Sequence, residues 1–414
     1  MSKHYEYAKE KYANIGVNVD LAIEKLKKIK ISLHCWQGDD VNGFMNKSAQ
    51  KGGVMATGNY PFAARTPQEL REDIAKALSY IPGNHKVNLH AIYLDTEEKV
   101  DICEIEPQHF SKWVAWAKEN HLGLDFNPTC FAHDKFKDGF TIASADKNIA
   151  KFWIEHCKKS RKIAEFFGKE LGQTAVNNFW FPDGYKDTPV DRLAPRERML
   201  ENMNEVLADK LDTKYFLDTI ESKLFGIGVE SYTVASHEFC TMYAMQKNIG
   251  ICIDSGHFHL SESIADKLSN YKLFNIPLLL HVSRPVRWDS DHVVSFEDSL
   301  IASAQELIKN NMLETTHIGL DFFDASINRI AAWSIGTRNT IKALLFALLQ
   351  PTDKLKKIEL NGDLTSRLAM QEELKSYPFG IVWDYYCEQL GVPVGLNWLA
   401  DLKKHEETIL AKRK

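Results

Sequence analysis

The sequence predicts an α/β protein: a (β/α)8 TIM barrel with an N-terminal helical segment and a C-terminal helical extension. Two observations carry this expectation. Eight short runs rich in β-branched and aromatic residues recur along the chain, and amphipathic helical patterns fill the spaces between them. Such alternation belongs to parallel sheets whose strands are covered on both faces. A doubly wound sheet alternates in the same way, so the number of elements leaves that architecture open.

Residues 1–28 read as a helical segment that runs into the basic stretch Leu26–Lys30. The expected strands are Ile29–Trp36, Val87–Leu94, Leu122–Asn127, Asn177–Phe181, Tyr215–Ile220, Gly250–Asp254, Ile276–Val282 and His317–Phe322. Each spans five to eight residues, as buried parallel strands do. Pro67–Tyr80 is the first intervening helix, with Leu70, Ile74, Ala77 and Leu78 on one face. Pro107–His121 carries an aromatic stripe of Phe110, Trp113 and Trp116 with Val114. Lys147–Leu171, Pro195–Lys210, Tyr232–Lys247, Ser261–Asn270, Ser295–Asn310 and Asn328–Leu349 repeat the helical spacing. After Gln350-Pro351 come helical patterns at Leu360–Tyr377, Val382–Leu390 and Trp398–Lys412. The expected organisation is a catalytic barrel over residues 1–349 and a helical extension over 350–414, packed on the barrel or on a neighbouring subunit. The charge run Lys403–Glu407 reads as a solvated face.

Composition narrows the function classes. With 44% hydrophobic and 26% charged residues, and 22 Gly and 13 Pro, the chain is neither disordered nor fibrous. Lys and Arg number 51 against 56 Asp and Glu, a net charge of −5, so no overall electrostatic footprint for nucleic acid exists. No apolar run is long enough to span a membrane, and the N-terminus is too polar for a signal peptide. Seven cysteines without a CxxC spacing make a zinc ribbon or a disulfide framework unexpected. A reduced, cytoplasmic protein is the expectation.

In a barrel the chemistry lies at the C-terminal ends of the strands. The first four expected strands end in or near His34 and Trp36, His90, Asp125 and Asn127, and Trp180 with Asp183. The last four end at Glu221, Asp254, His281 and Asp321. Charged groups directly after apolar runs are unfavourable unless partnered, and a divalent cation partners all four at once. Three carboxylates and an imidazole favour Mn²⁺, Mg²⁺, Co²⁺ or Zn²⁺ over softer metals. A second set follows in the next loops: His257, three residues beyond Asp254, and Asp289 and Asp291, alternate residues of one extended segment. Three ligands leave positions open for substrate and water, as at a catalytic metal. Taken singly, each Asp also fits a helix cap or turn, and His281 fits a hydrogen-bonded core histidine.

Aromatic residues near the strand ends, Trp36, Tyr93, Phe131, Trp180, Phe181 and Trp288, offer faces for the apolar side of a sugar. Trp36, Phe131, Trp180 and Asp183 are the expected substrate pocket. Lys223, two residues past Glu221, is placed to bond a substrate oxygen or to form a structural ion pair. Gly52–Arg65, with three glycines and a proline, reads as a lid or an ordinary loop.

Eight motifs carry a family resemblance: HCWQGDD (34–40), ATGNYP (56–61), NLHAIY (88–93), LDFNPTC (124–130), ESKLFGIG (221–228), DSGHFH (254–259), LLLHVSRPVRWDSDHVV (278–294) and HIGLDFFDASINRIAAW (317–333). Together they resemble L-rhamnose isomerase from about Tyr5 to the C-terminal helices. His237 in VASHEF departs from the family's pattern, outside the ligand set. The resemblance implies a homotetrameric barrel that uses two divalent metals, usually Mn²⁺, with Zn²⁺ or Co²⁺ an alternative at one site. It implies that His257, Asp289 and Asp291 hold the catalytic metal and that Glu221, Asp254, His281 and Asp321 hold the second, Asp254 bridging the two. The implied reaction interconverts L-rhamnose and L-rhamnulose. Hydrogen would pass between C1 and C2 as hydride, Asp321 assisting a water, Lys223 polarising O1 and His90 helping to open the ring. A base-generated enediol is the alternative route. Two other classes remain at this stage: a metal-dependent phosphoesterase or endonuclease on a similar barrel, and a non-catalytic sugar-binding protein. Only Lys223, Arg284 and Arg287 offer positive charge near the expected metals, which is little for a nucleic-acid groove.

Overall fold

The apolar runs pair in the order in which they occur. In the computed structural model, which describes residues 3–45, 54–136 and 139–413, they form β1 (Ile31–His34), β2 (Lys86–His90), β3 (Gly123–Asn127), β4 (Ala175–Trp180), β5 (Phe216–Glu221), β6 (Gly250–Asp254), β7 (Leu278–Val282) and β8 (Thr316–Leu320). Each strand pairs in parallel with the next, and β8 returns to β1, closing the barrel. Closure leaves no edge strand, which is why short runs suffice. A doubly wound sheet is thereby excluded.

Two N-terminal helices, α1 (Lys3–Ala13) and α2 (Val19–Leu26), precede the barrel, and eight helices surround it. These are α3 (Pro67–Leu78), α4 (Ser111–Glu119), α5 (Lys147–Leu171), α6 (Leu193–Val206), α7 (His237–Lys247), α8 (Ile264–Leu273), α9 (Asp298–Lys309) and α10 (Arg329–Leu348). Their ends follow local chemistry. Asp146 accepts a hydrogen bond from the Asn148 N–H at 2.8 Å to start α5, and Gly172, with φ +63°, stops it. No helix among the described residues is long and apolar enough to cross a membrane.

The structure departs from the expected elements where turn chemistry overrides periodicity. The helix expected over Tyr232–Lys247 begins only at His237, because Ser236 caps it, and Tyr232–Thr233 pairs antiparallel with Gly184–Tyr185. The helix expected over Leu360–Tyr377 is broken at Gly362, whose φ is +75°. Before the break lies α11 (Thr352–Leu360), which periodicity did not single out, and after it α12 (Leu364–Leu374), the part of the expected helix that forms, followed by α13 (Phe379–Gln389) and α14 (Trp398–Thr408).

The C-terminal helices pack on the barrel's own outer layer. Tyr385 of α13 stacks on Tyr5 of α1 with centroids 3.5 Å apart, and Trp398 meets Tyr80 at 5.6 Å. Arg413 makes a buried, two-pronged pair with Asp73 of α3 at 2.6 and 2.8 Å. The main apolar core takes in residues from Tyr5 to Leu410, and Val176, Cys252 and Leu279 form a small second cluster.

Inside the barrel the N-terminal half is polar. Asp125 accepts from the Ser32 hydroxyl at 2.6 Å, the Val176 N–H at 2.7 Å and the Lys86 ammonium, and Lys86 also reaches the Thr174 carbonyl at 2.8 Å. Asp125, expected near a strand end, is therefore a structural group beneath the site. Removing one partner of a buried pair strands the other charge. Lys86→Met is expected to lower unfolding free energy by about 3–5 kcal/mol, measured by urea denaturation. An unchanged midpoint would show that the pair contributes nothing.

Candidate active site

A cavity of about 480 Å³ opens at the C-terminal ends of the strands. Trp36, Phe131, Trp180 and Trp288 form apolar walls, and His90, Lys223, His257, Asp289, Asp291 and Asp321 face the same space. Loop residues Val54, Met55 and Thr57 complete the wall. Of the expected lid Gly52–Arg65, residues 52 and 53 lie outside the described residues.

Strand register brings four donors together at the floor. Glu221 ends β5, Asp254 ends β6, His281 lies in β7, and Asp321 directly follows β8. Asp254 pairs across with His281, and His281 with Gly319. One ligand atom from each of the four lies within 4.8 Å of the others. His281 Nδ1 is 3.4 Å from Asp321 Oδ2, 3.6 Å from Glu221 Oε2 and 3.8 Å from Asp254 Oδ2. These separations are too long for hydrogen bonds. Both ring nitrogens of His281 and Oε1 of Glu221 are buried without a hydrogen-bond partner.

Outer partners turn the carboxylates toward this point. Asp254 Oδ1 accepts from the Gly256 N–H at 2.6 Å and the Ser283 hydroxyl at 3.0 Å, leaving Oδ2 to face His281. Asp321 Oδ1 accepts from the Trp36 indole at 3.1 Å, with Oδ2 again toward His281. Glu221 Oε2 accepts from the Asn178 amide at 2.5 Å. Glycine at position 256 leaves these side chains their room: a Cβ there would lie 2.6 Å from Asp289 Oδ1 and 2.8 Å from Ser283 Oγ, so they would have to shift. Bare buried donors, outer hydrogen bonds and a cradle closed to side chains fit a divalent cation held by oxygen and nitrogen.

The second expected set is looser. His257 donates from Nδ1 to the Ser222 carbonyl at 2.9 Å, which leaves Nε2 as its ligand atom, 3.4 Å from Asp289 Oδ2. Lys223 Nζ sits 2.6 Å from the same oxygen. Among the described residues, the close-set donor groups are the four above and a variant in which Cys252 joins Glu221 and His281. His257, Asp289 and Asp291 share the cavity without closing to that spacing. Cys252, read from sequence as a core residue, is a poor donor because burial pushes its thiol well up, and thiolates rather than thiols bind metals.

The electrostatics show what the carboxylates lack. Burial, with Asp321 and Glu221 close by, pushes Asp254 up to about 7 against the pull of His257. Burial alone would lower His257, but Asp254 and Asp289 lift it to about 10. Burial and Asp289 together raise Asp291 well above the carboxylate range. For Lys223, Asp289 and Asp291 outweigh burial and hold the ammonium above its ordinary value. Asp254 and Asp291 are thus pushed toward taking up a proton, and His257 and Lys223 toward keeping theirs.

The comparisons with known proteins agree over the whole chain. A family model described as L-rhamnose isomerase (RhaA) matches residues 1–413.

The chain belongs to the L-rhamnose isomerase family.

It is 61% identical over 414 residues to an L-rhamnose isomerase of Listeria monocytogenes serotype 4a (strain HCC23), covering 100% of this chain and 99% of that protein. It is 54% identical over 410 residues to an L-rhamnose isomerase of Yersinia pseudotuberculosis serotype O:1b (strain IP 31758), covering 99% and 98%. Among solved structures, a xylose isomerase domain protein from Alicyclobacillus acidocaldarius subsp. acidocaldarius matches with TM-score 0.49 at 10% identity, covering 78% of this chain and 99% of that one. This family member is thus an isomerase with a metal-type donor cluster at its barrel mouth.

Of the aromatic faces expected for sugar, Tyr93 and Phe181 are fully buried and do not line the cavity. The expected ligand, catalytic and pocket residues lie at the cavity or its floor, except Asp183. That carboxylate is fully buried, accepts from the Thr141 hydroxyl and from the Ala143 N–H at 2.8 Å, and is raised by burial to about 6. It anchors a loop rather than lining the cavity. Sequence reading also missed Asn178, Ser283 and the polar edge of Trp36. Two adjacent asparagines in an otherwise apolar strand were the available signal for Asn178. Glu221→Gln and Asp321→Asn are expected to weaken divalent-cation binding about 100-fold or more while leaving the circular dichroism spectrum unchanged. Equilibrium dialysis with metal analysis checks this, and wild-type affinity in both variants would remove the four residues from the metal site.

Proposed function

We propose that this chain is a metal-dependent aldose–ketose isomerase that interconverts L-rhamnose and L-rhamnulose. The observation that carries the reading is the convergence of Glu221, Asp254, His281 and Asp321 at the floor of an aromatic-walled cavity. Two Mn²⁺ ions, with Zn²⁺ or Co²⁺ an alternative at one site, are the proposed cofactors: one with Glu221, Asp254, His281 and Asp321, the other with His257, Asp289 and Asp291. When bound, such ions polarise the sugar's O1 and O2.

The protein's own groups do the rest. His90 is held neutral, lowered to about 3 by burial, and its Nδ1 engages the Thr129 hydroxyl at 2.9 Å. Nε2 remains to move a proton at the ring oxygen during opening. The Lys223 ammonium lies 5.5 Å over the Trp180 ring, within the sugar pocket, and is the proposed donor to O1. Trp36, Phe131 and Trp180 exclude water from C1 and C2, so that hydrogen passes between them as hydride rather than by exchange with solvent. Asp321 is the carboxylate that assists proton movement between the two oxygens. A nucleic-acid substrate is disfavoured, because Lys223 already pairs with Asp289.

The rest of the proposed assignment follows the family. Residues 1–349 form the catalytic barrel and 350–414 an extension, in a cytoplasmic homotetramer. Met242 and Met245 on α7, Leu273 of α8 and Phe274 directly after it are exposed apolar residues that would support subunit contacts. Light scattering coupled to gel filtration is expected to give four times the chain mass; a monomer would end that part of the proposal.

L-Rhamnose is expected to yield a ketose in a colorimetric assay, with activity abolished by EDTA and restored by Mn²⁺. In D₂O, little solvent deuterium should appear at C1 or C2. Complete incorporation would transfer the reaction to the enediol route, and no ketose from L-rhamnose would overturn the assignment.

A further inference from the structure

The loop over residues 54–62 forms one wall of the sugar cavity through Val54, Met55 and Thr57. Two elements distant in sequence hold it. On its inner side it runs beside the segment that follows Asp321. Thr57 bridges Asp324, the Ala325 N–H donates to the Thr57 carbonyl at 3.0 Å, and the Tyr60 N–H donates to the Ala325 carbonyl at 2.7 Å. The approach is close enough that Gly58, with φ +126°, would place a Cβ only 2.2 Å from the Ala325 carbonyl carbon.

On its outer side the C-terminal segment holds it. The Tyr60 hydroxyl donates to Glu406 Oε2 at 2.7 Å, and the Asn328 amide donates to the same oxygen at 2.5 Å. Arg413 Nη1 donates to the Phe62 carbonyl at 3.2 Å. Phe62 itself has φ +72°, a strained conformation for an aromatic residue that persists only where the surroundings impose it. Arg329, clamped on Asp40 at 2.9 and 2.6 Å, donates to the carbonyls of Tyr60 and Pro61 at 3.0 and 2.9 Å.

We infer that Glu406 and Arg413 are positioning residues for substrate binding: the C-terminal segment latches the loop that walls the cavity. The inference rests on reading that cavity as the aldose site, and it gives the extension a task within its own subunit. Neither residue touches the cavity, so their effect must pass through Tyr60 and Phe62 to Val54, Met55 and Thr57. The latch therefore acts on how sugar is held and leaves the metal donors alone.

The test uses Glu406→Ala and Tyr60→Phe, which remove opposite ends of one contact, their double variant, and Glu407→Ala as a control. Each of the first two is expected to raise KM for L-rhamnose about fivefold or more, with kcat and Mn²⁺ affinity within about twofold of wild type. The double variant should be no worse than the more affected single one, because both remove the same contact. Amide hydrogens of Tyr60 and Ala325 should exchange faster in the variants, measured without sugar, and Glu407→Ala should match wild type in both assays. Unchanged KM, or unchanged exchange at Tyr60, would overturn the latch. A parallel loss of kcat and Mn²⁺ affinity would also overturn it, by marking a general structural role. Were the wild-type protein inactive on L-rhamnose, the isomerase assignment would fail, and the exchange measurement would still decide the latch.

Discussion

Mutual repulsion among buried carboxylates is the constraint around which this molecule is arranged. Glu221, Asp254 and Asp321 are brought to one point with a single imidazole between them, and Asp289 and Asp291 lie in the same cavity. Crowded buried carboxylates take up protons, the direction in which Asp254 and Asp291 are pushed, or move apart. A closed barrel prevents the second response, since parallel register fixes Asp254 opposite His281. Hydrogen bonds from Gly256, Ser283 and Trp36 leave Oδ2 of Asp254 and of Asp321 facing inward, and Asn178 holds the Glu221 carboxylate through Oε2. The scaffold thus holds in place an arrangement that only positive charge relieves, which is what metal chemistry at a barrel mouth requires.

The barrel interior divides along its axis. Toward the N-terminal ends, Asp125 and Asp218 are neutralised by the protein itself, through Lys86 and Arg161. Toward the C-terminal ends, Lys223 pairs with Asp289, whereas Glu221, Asp254 and Asp321 have only histidines near them among the described ionic partners. The difference separates a polar group that serves stability from one that serves chemistry, and residue type alone does not reveal it. Both ends present acids in strands with apolar neighbours, and only the partner across the barrel tells them apart.

That distinction also sets how much could be read in advance. All eight strands were legible because burial on both faces writes itself as continuous apolar runs. The four metal-type donors were legible because each stands at or within one residue of the C-terminal end of such a run in the last four strands. Asp183 looked the same on paper, yet Thr141 and the Ala143 backbone claim its oxygens from a loop some 40 residues earlier. The hidden half of Trp36 has a similar cause. Its ring was expected to face sugar, whereas its N–H orients Asp321 from 285 residues away in sequence. Contacts that join distant segments leave no periodicity to detect. The wall loop is the extreme case, tied through Tyr60 to a glutamate 346 residues further on. The break at Gly362 and the short antiparallel ribbon at Tyr232–Thr233 were missed for the opposite reason: local turn geometry interrupted a pattern that periodicity alone carried through.

The glycine at 256 also ties the two expected donor sets to each other. A Cβ there would lie 2.6 Å from Asp289 Oδ1, 2.8 Å from Ser283 Oγ and 3.1 Å from Asp254 Oδ1, so one added methyl group would press on a member of each set at once. The spacing between the sets is therefore bounded here by backbone alone, and any side chain at this residue is read out as displacement of the donors.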